Sequence, residues 1–276
     1  MLECLLGGLI DDYALHLRRA NYARLTQQAY LATARKFLTL YPKISIGTVT
    51  PEHIERYLDT LDVSARSREV NLEKVRAFFT WAVNRRFIKK NPCDGVVRPR
   101  WHPKRRPSVS RAEFEALLGV ATDDERALVE TLYFTGLRIG ELLSVRPGDV
   151  DLAGRKIRVT GKGGTPRTVV FPERVALVLA SRMGRRWVFY PRDPKEINRR
   201  LSEVGEGAGL PYHLTAHLLR HGWVKLMKIS GVPIEVTARL AGHSIQTTAR
   251  VYGQLDEDDL KAVYDRHVEY RTNVLD

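Results

Sequence analysis

Four short segments, far apart in a 276-residue chain, carry polar groups of the kind that phosphoryl chemistry needs. The first is Thr135-Gly136-Leu137-Arg138-Ile139-Gly140-Glu141, where Arg138 and Glu141 share a face if this turn is helical. The second places Lys162 among Gly161, Gly163 and Gly164, a support flexible enough to reach a ligand. The third is His217-Leu218-Leu219-Arg220, and the fourth is Ala241-Gly242-His243, followed nine residues later by Tyr252. Displacement at a phosphodiester builds negative charge on the non-bridging oxygens, and two guanidiniums can clamp that charge through paired hydrogen bonds. Each element alone has an ordinary reading: a surface ion pair, a solvated lysine, a polar helix face, a packed tyrosine. Their joint order and spacing are what single them out.

The elements that must position these groups are mostly helical. Apolar residues recur at three-to-four spacing from Tyr13 through Leu17 and on to Tyr30, Ala34, Phe37 and Leu38. Thr50 followed by Pro51 is a helix start. Residues 64–87 place Leu72, Val75, Phe78, Phe79 and Val83 on one stripe and Arg66, Arg68, Lys74 and Arg76 on much of the remainder, which predicts a helix with a core face and a basic face. Core packing is the expected role of Phe78, Phe79 and Trp81. Four prolines between Asn91 and Pro107, interleaved with Arg98, Arg100, Lys104, Arg105 and Arg106, preclude a continuous helix and predict a basic linker. Beyond it, Ser110 and Glu113 form a capping box. Residues 156–160 and 168–171 read as a β-hairpin around the glycine-rich turn, and helices return from Pro172 onward. The fold class is mainly α with a small antiparallel sheet, in two bodies at 1–90 and 110–276 joined by a linker at 91–109.

Composition bounds the partners. The formal charge is +13, distributed as +10 over residues 1–106, +7 over 107–254 and −4 over the remainder. Basic charge on both bodies suits a protein that holds a long polyanion from two sides. No uncharged run approaches the roughly 20 residues of a membrane span, Cys4 and Cys93 have no partners at metal-ligand spacing, and no paired-carboxylate cluster stands out. The expectation is a cytoplasmic, nucleoid-associated protein without metal or other cofactor.

With these motifs the sequence resembles the tyrosine recombinase (phage integrase) family, most closely its short Xer-like and archaeal members, from about Ser110 to Tyr252. Arg138 looks like the arginine of the family's TGLRxxEL box, with Glu141 its acidic companion. Lys162 looks like the hairpin lysine, His217 and Arg220 the HxLR box, His243 the GH box and Tyr252 the nucleophile. Two departures stand out: Gly222 and Trp223 follow His221 where the family often has a small polar residue, and Ala241 replaces a leucine before Gly242. The N-terminal body matches in type, as a helical, SAM-like core-binding domain. No separate arm-site domain precedes it, which points away from the more elaborate integrases.

The resemblance implies site-specific recombination of double-stranded DNA through a 3′-phosphotyrosyl intermediate, without ATP. It casts Arg138 and Arg220 as the phosphate clamp, Lys162 as acid to the leaving 5′ oxygen, and His217 and His243 as acid/base aids. Arg66, Arg68, Lys74, Arg76, Arg105 and Arg106 are the expected DNA contacts. Four active sites acting together imply a tetramer on two DNA sites, assembled by exchange of the amphipathic tail 255–268, with a monomer or dimer in free solution. Packing of that tail on its own domain is the alternative. Type IB topoisomerase-like relaxation and a non-catalytic DNA-binding regulator remain alternative functions.

Overall fold

The computed structural model describes residues 8–101, 107–161 and 164–252, together with 257, 259–261 and 263–265; the side chains of 250–252 are outside the description. The chain divides into two compact units, Met1–Lys104 and Arg105–Asp276.

The first unit is helical: α1 Leu9–Arg19, α2 Arg24–Leu40, α3 Pro51–Asp59 and α4 Ala65–Asn84. Thr50 caps α3 with Pro51 at the first helical position, and the Ser64 hydroxyl accepts the Ser67 amide at the start of α4. The two apolar stretches, at Tyr13–Leu17 and Tyr30–Leu38, fall on separate helices, because the chain turns at residues 20–23, where Asn21 takes the left-handed conformation at φ 58°. Phe78, Phe79 and Trp81 are all buried, as core packing requires, and the Tyr13 ring meets Phe78 edge-on at 5.1 Å. A short 3₁₀ turn, Pro92–Gly95, packs against α3 and α4 with Cys93 wholly buried. Residues 91–96, expected at the start of a solvated linker, are therefore part of this unit. Arg76 fixes them by donating to the Asp94 carboxylate and the Cys93 carbonyl, both at 2.6 Å.

The second unit carries α5 Arg111–Val120, α6 Asp123–Thr135, α7 Ile139–Leu142, the strands β1 Val150–Asp151, β2 Lys156–Thr160 and β3 Pro166–Val170, then α8 Glu173–Ala180, α9 Pro194–Gly207, α10 Ala216–Ile229, α11 Ile234–Ala241 and α12 Ile245–Tyr252. The capping box at Ser110 and Glu113 is present as read. The strands form one antiparallel sheet in the order β1-β2-β3, with Ile157 opposite Val169 and Thr160 opposite Pro166. Two details differ from expectation: β3 starts two residues before Thr168, and β1 adds a third strand. Helix α10 is the organising element, packed against α6, α9, α11 and α12. Gly222 makes this possible, since a Cβ there would stand 2.7 Å from the Val109 carbonyl oxygen and 3.0 Å from the Tyr133 ring.

Candidate active site

Helix α6 ends at Gly136, whose left-handed conformation (φ 59°) turns the chain, so that Arg138 becomes the extended residue preceding α7. A Cβ on Gly136 would lie 2.3 Å from the Trp223 ring. The unusual Trp223 thus seals the turn from above, and the glycine is needed for both its φ and its space.

Behind this turn Glu141 is buried at 5% exposure, and it is the hub of the site. Its Oε2 accepts the Arg138 backbone amide at 2.8 Å and its Oε1 accepts Arg138 Nη1, also at 2.8 Å. Arg167, from β3, grips both oxygens at 2.5 and 2.8 Å. Arg220 Nη1 stands 4.0 Å from Oε2. Burial alone would raise this carboxyl, but hydrogen bonds from Arg167 and the Arg138 amide outweigh it and hold the pKa at about 2.

The same three arginines meet again at the end of α11. Arg167 Nε donates to the Leu240 carbonyl at 3.1 Å, Arg220 Nη2 to the Ala241 carbonyl, and Arg138 Nη2 to the Gly242 carbonyl at 2.7 Å. Each of three successive carbonyls at a helix C-terminus therefore takes one guanidinium, and the partial negative charge there, about −0.5, stabilises them. Arg220 is 2% exposed and also donates to the Gly136 carbonyl. Burial, then the neighbouring Arg138 charge, push it down to about 9, against the pull of Glu141; it stays cationic at neutral pH. Three guanidiniums face one carboxylate and one helix terminus, which leaves a net positive site.

His243 follows the left-handed Gly242 (φ 61°). Its Nε2 lies 2.8 Å from Arg220 Nη2, and because a guanidinium only donates, Nε2 accepts and the proton sits on Nδ1. Burial, then Arg220 and Arg138, lower the pKa of this imidazole to about 4, so it is neutral. Its buried Nδ1 has no hydrogen-bond partner among the described residues. On α10, whose start is fixed by the Thr215 hydroxyl, His217 is exposed and its Nε2 lies 3.0 Å from that of the buried His221.

The structure thus brings together Arg138, Glu141, Arg220 and His243, with His217 close enough to influence His243 electrostatically. Lys162 lies outside the described residues, but Gly161 beside it does not. A Cβ on Gly161 would stand 3.5 Å from Arg167 Nη1 and 3.8 Å from Glu141 Oε1, so the base of the hairpin abuts the site. Tyr252 closes α12, which packs against both α10 and α11; its side chain is outside the description. Arg167 is the member that sequence reading missed. Its signal is an arginine on the inward face of β3, in step with buried Val169. Among the described residues no group of three or more His, Cys, Asp or Glu side chains is arranged to hold a metal ion.

The expected DNA contacts of the first unit divide. Arg66 and Lys74 line one surface groove with Arg98, Glu69 and Glu73, and Arg66 stacks over Trp101 at 4.4 Å. Arg68 is half-buried with no partner for Nε among the described residues, and Arg76 is committed to the 92–95 turn. Arg105 and Arg106 lie outside the described residues.

Residues 108–258 match the phage integrase family, and residues 9–89 match its N-terminal SAM-like domain. The chain belongs to the phage integrase family. As a tyrosine recombinase of that family it is an enzyme of site-specific recombination. It is 31% identical to the tyrosine recombinase XerC of Vibrio vulnificus over 74% of this chain and 71% of that one. Among solved structures it is similar to the XerA recombinase, with a TM-score of 0.54 and 25% identity over 95% of this chain and 98% of that one. The fold also matches that of the Tn1549 transposon integrase in complex with a circular intermediate DNA, with a TM-score of 0.77 and 20% identity over 95% and 99% of the two chains. Among the described residues no helix is long and apolar enough to cross a membrane.

Proposed function

We propose that this integrase-family chain cuts and rejoins double-stranded DNA with Tyr252 as nucleophile and the Arg138–Arg220 pair as the phosphate clamp. The observation that carries this reading is the surplus of guanidinium charge around one buried carboxylate, with Arg138 one-third exposed at its edge. The Tyr252 oxygen attacks phosphorus as the bond to the 5′ oxygen breaks. The leaving oxygen takes a proton from Lys162, and the 3′ phosphate stays on the tyrosine until a partner strand's 5′ hydroxyl displaces it. Neutral His243 accepts from Arg220 at Nε2 and so holds that guanidinium for a non-bridging oxygen, and His217, its tautomer coupled to His221, serves proton transfer to or from the tyrosine.

In this reading the second unit catalyses and the first grips the duplex, with Arg66, Lys74 and Arg98 as phosphate contacts. The active assembly is an oligomer on DNA. In the single chain the tail residue Asp259 is buried and pairs with Lys225 of α10 at 2.7 Å. Exchange of the tail between subunits would have to release that contact.

The test is covalent trapping on a nicked suicide duplex carrying a candidate recombination site, with Tyr252→Phe alongside and chelator present. Label retained on denatured wild type and lost in the variant is the expected result. A chain that binds the site and forms no adduct would overturn the catalytic reading.

A further inference from the structure

Arg167 joins three parts of the site that the chain reaches separately. It is the second residue of β3, and its side chain turns inward beside Val169 to 12% exposure. Its fork holds both oxygens of Glu141 on α7, and its Nε holds the Leu240 carbonyl at the end of α11. Gly242 is shaped around it: a Cβ there would stand 3.1 Å from Nη1 and 3.2 Å from Cδ. Gly161, at the base of the hairpin, is close as well: a Cβ there would stand 3.5 Å from Nη1.

A guanidinium placed this deep carries a desolvation cost that an apolar residue on the same inward strand position would avoid. What it changes is the freedom of Glu141. With its oxygens in the Arg167 fork, the carboxylate takes one side-chain N–H from Arg138 and stays 4.0 Å from Arg220. Without the fork, the same carboxylate would complete its hydrogen bonding by drawing Arg138 or Arg220 inward, away from any phosphate.

We propose that Arg167 is a positioning residue for strand cleavage, which occupies Glu141 and holds the Leu240–His243 turn so that Arg138, Arg220 and His243 are presented to one phosphate beside the hairpin base at Gly161. This inference rests on the recombinase reading above.

The experiment compares full-length wild type, Arg167→Gln, Arg167→Lys and Arg167→Gln/Glu141→Gln on the suicide duplex. It measures duplex affinity, melting temperature and the single-turnover rate of adduct formation against pH. Because misplaced reacting groups lose about 100-fold in rate, Arg167→Gln should cleave about 100-fold more slowly and Arg167→Lys about tenfold more slowly, with duplex affinity kept within about threefold. The deficit of Arg167→Gln relative to wild type should shrink toward acid pH, as Glu141 becomes easier to protonate and its neutral form stops competing for the clamp arginines. The double variant should be faster than Arg167→Gln, because a neutral amide no longer competes for the clamp arginines. Cleavage by Arg167→Gln at the wild-type rate would overturn the proposal. So would a rate loss that tracks lost affinity or melting temperature, with an unmoved pH profile and no rescue. A wild type that binds the duplex and forms no adduct overturns the catalytic reading and this one with it, whereas adducts from both wild type and Arg167→Gln at equal rate overturn this one alone.

Discussion

The two units use the same pair of residue types, arginine and glutamate, to opposite ends. On α4, Arg66 pairs with Glu69 at the surface, where water already solvates both partners and the pair is replaceable. Around Glu141, three arginines share one buried carboxylate and four backbone carbonyls, and most of the hydrogen bonds there substitute for water that is gone. Surface arginines thus serve as adjustable charge, and buried ones as fixed geometry.

The largest expected effect comes from breaking the fixed set. Arg220→Ala should lower the adduct-forming rate by about a thousandfold, the scale of losing a preorganised charge donor, with duplex affinity little changed; single-turnover trapping measures it. Gly136→Ala should destabilise the chain by about 3 kcal/mol, since it combines an unfavourable φ with a collision against Trp223. Urea unfolding reads this, and recovery of part of the loss by Gly136→Ala/Trp223→Leu would assign it to the ring contact.

Next comes acid sensitivity. The folded chain keeps His243 neutral down to about pH 4, whereas the unfolded chain protonates it near 6.5, so stability falls as pH drops through that window. Glu141 adds a second loss below it, between about 4.5 and 2, where the unfolded carboxyl takes a proton that the folded one refuses. A His243→Gln variant should lose the upper part of the slope and keep the lower. The smallest effect belongs to the surface set: Arg66→Ala should leave the melting temperature unchanged and reduce the slope of log affinity against log salt by about one. An equal effect of Arg66→Ala and Arg220→Ala on cleavage would erase the distinction between the units.

Most of the site was legible because its chemistry fixes residue types at fixed order: an arginine with a glutamate three residues on, a histidine with an arginine three residues on, a histidine after glycine. Arg167 was not, because the hairpin reads as opening its second strand at Thr168, which strands Arg167 in the turn; once β3 starts at Pro166, its inward side is set by alternation. The break between α1 and α2 rests on one left-handed asparagine and leaves little periodic trace. Trp223 reads as a departure from the family pattern, and only packing reveals its counterpart, the bare Cα of Gly136.

The carbonyl that Arg138 holds lies 104 residues further along the chain. An emerging polypeptide that has already folded α6 and the hairpin therefore still lacks an anion pocket, because Leu240, Ala241 and Gly242 have yet to be delivered. A chain stopped before residue 240 holds the three arginines without the carbonyls that fix them, so the pocket comes into being as a unit and not arginine by arginine.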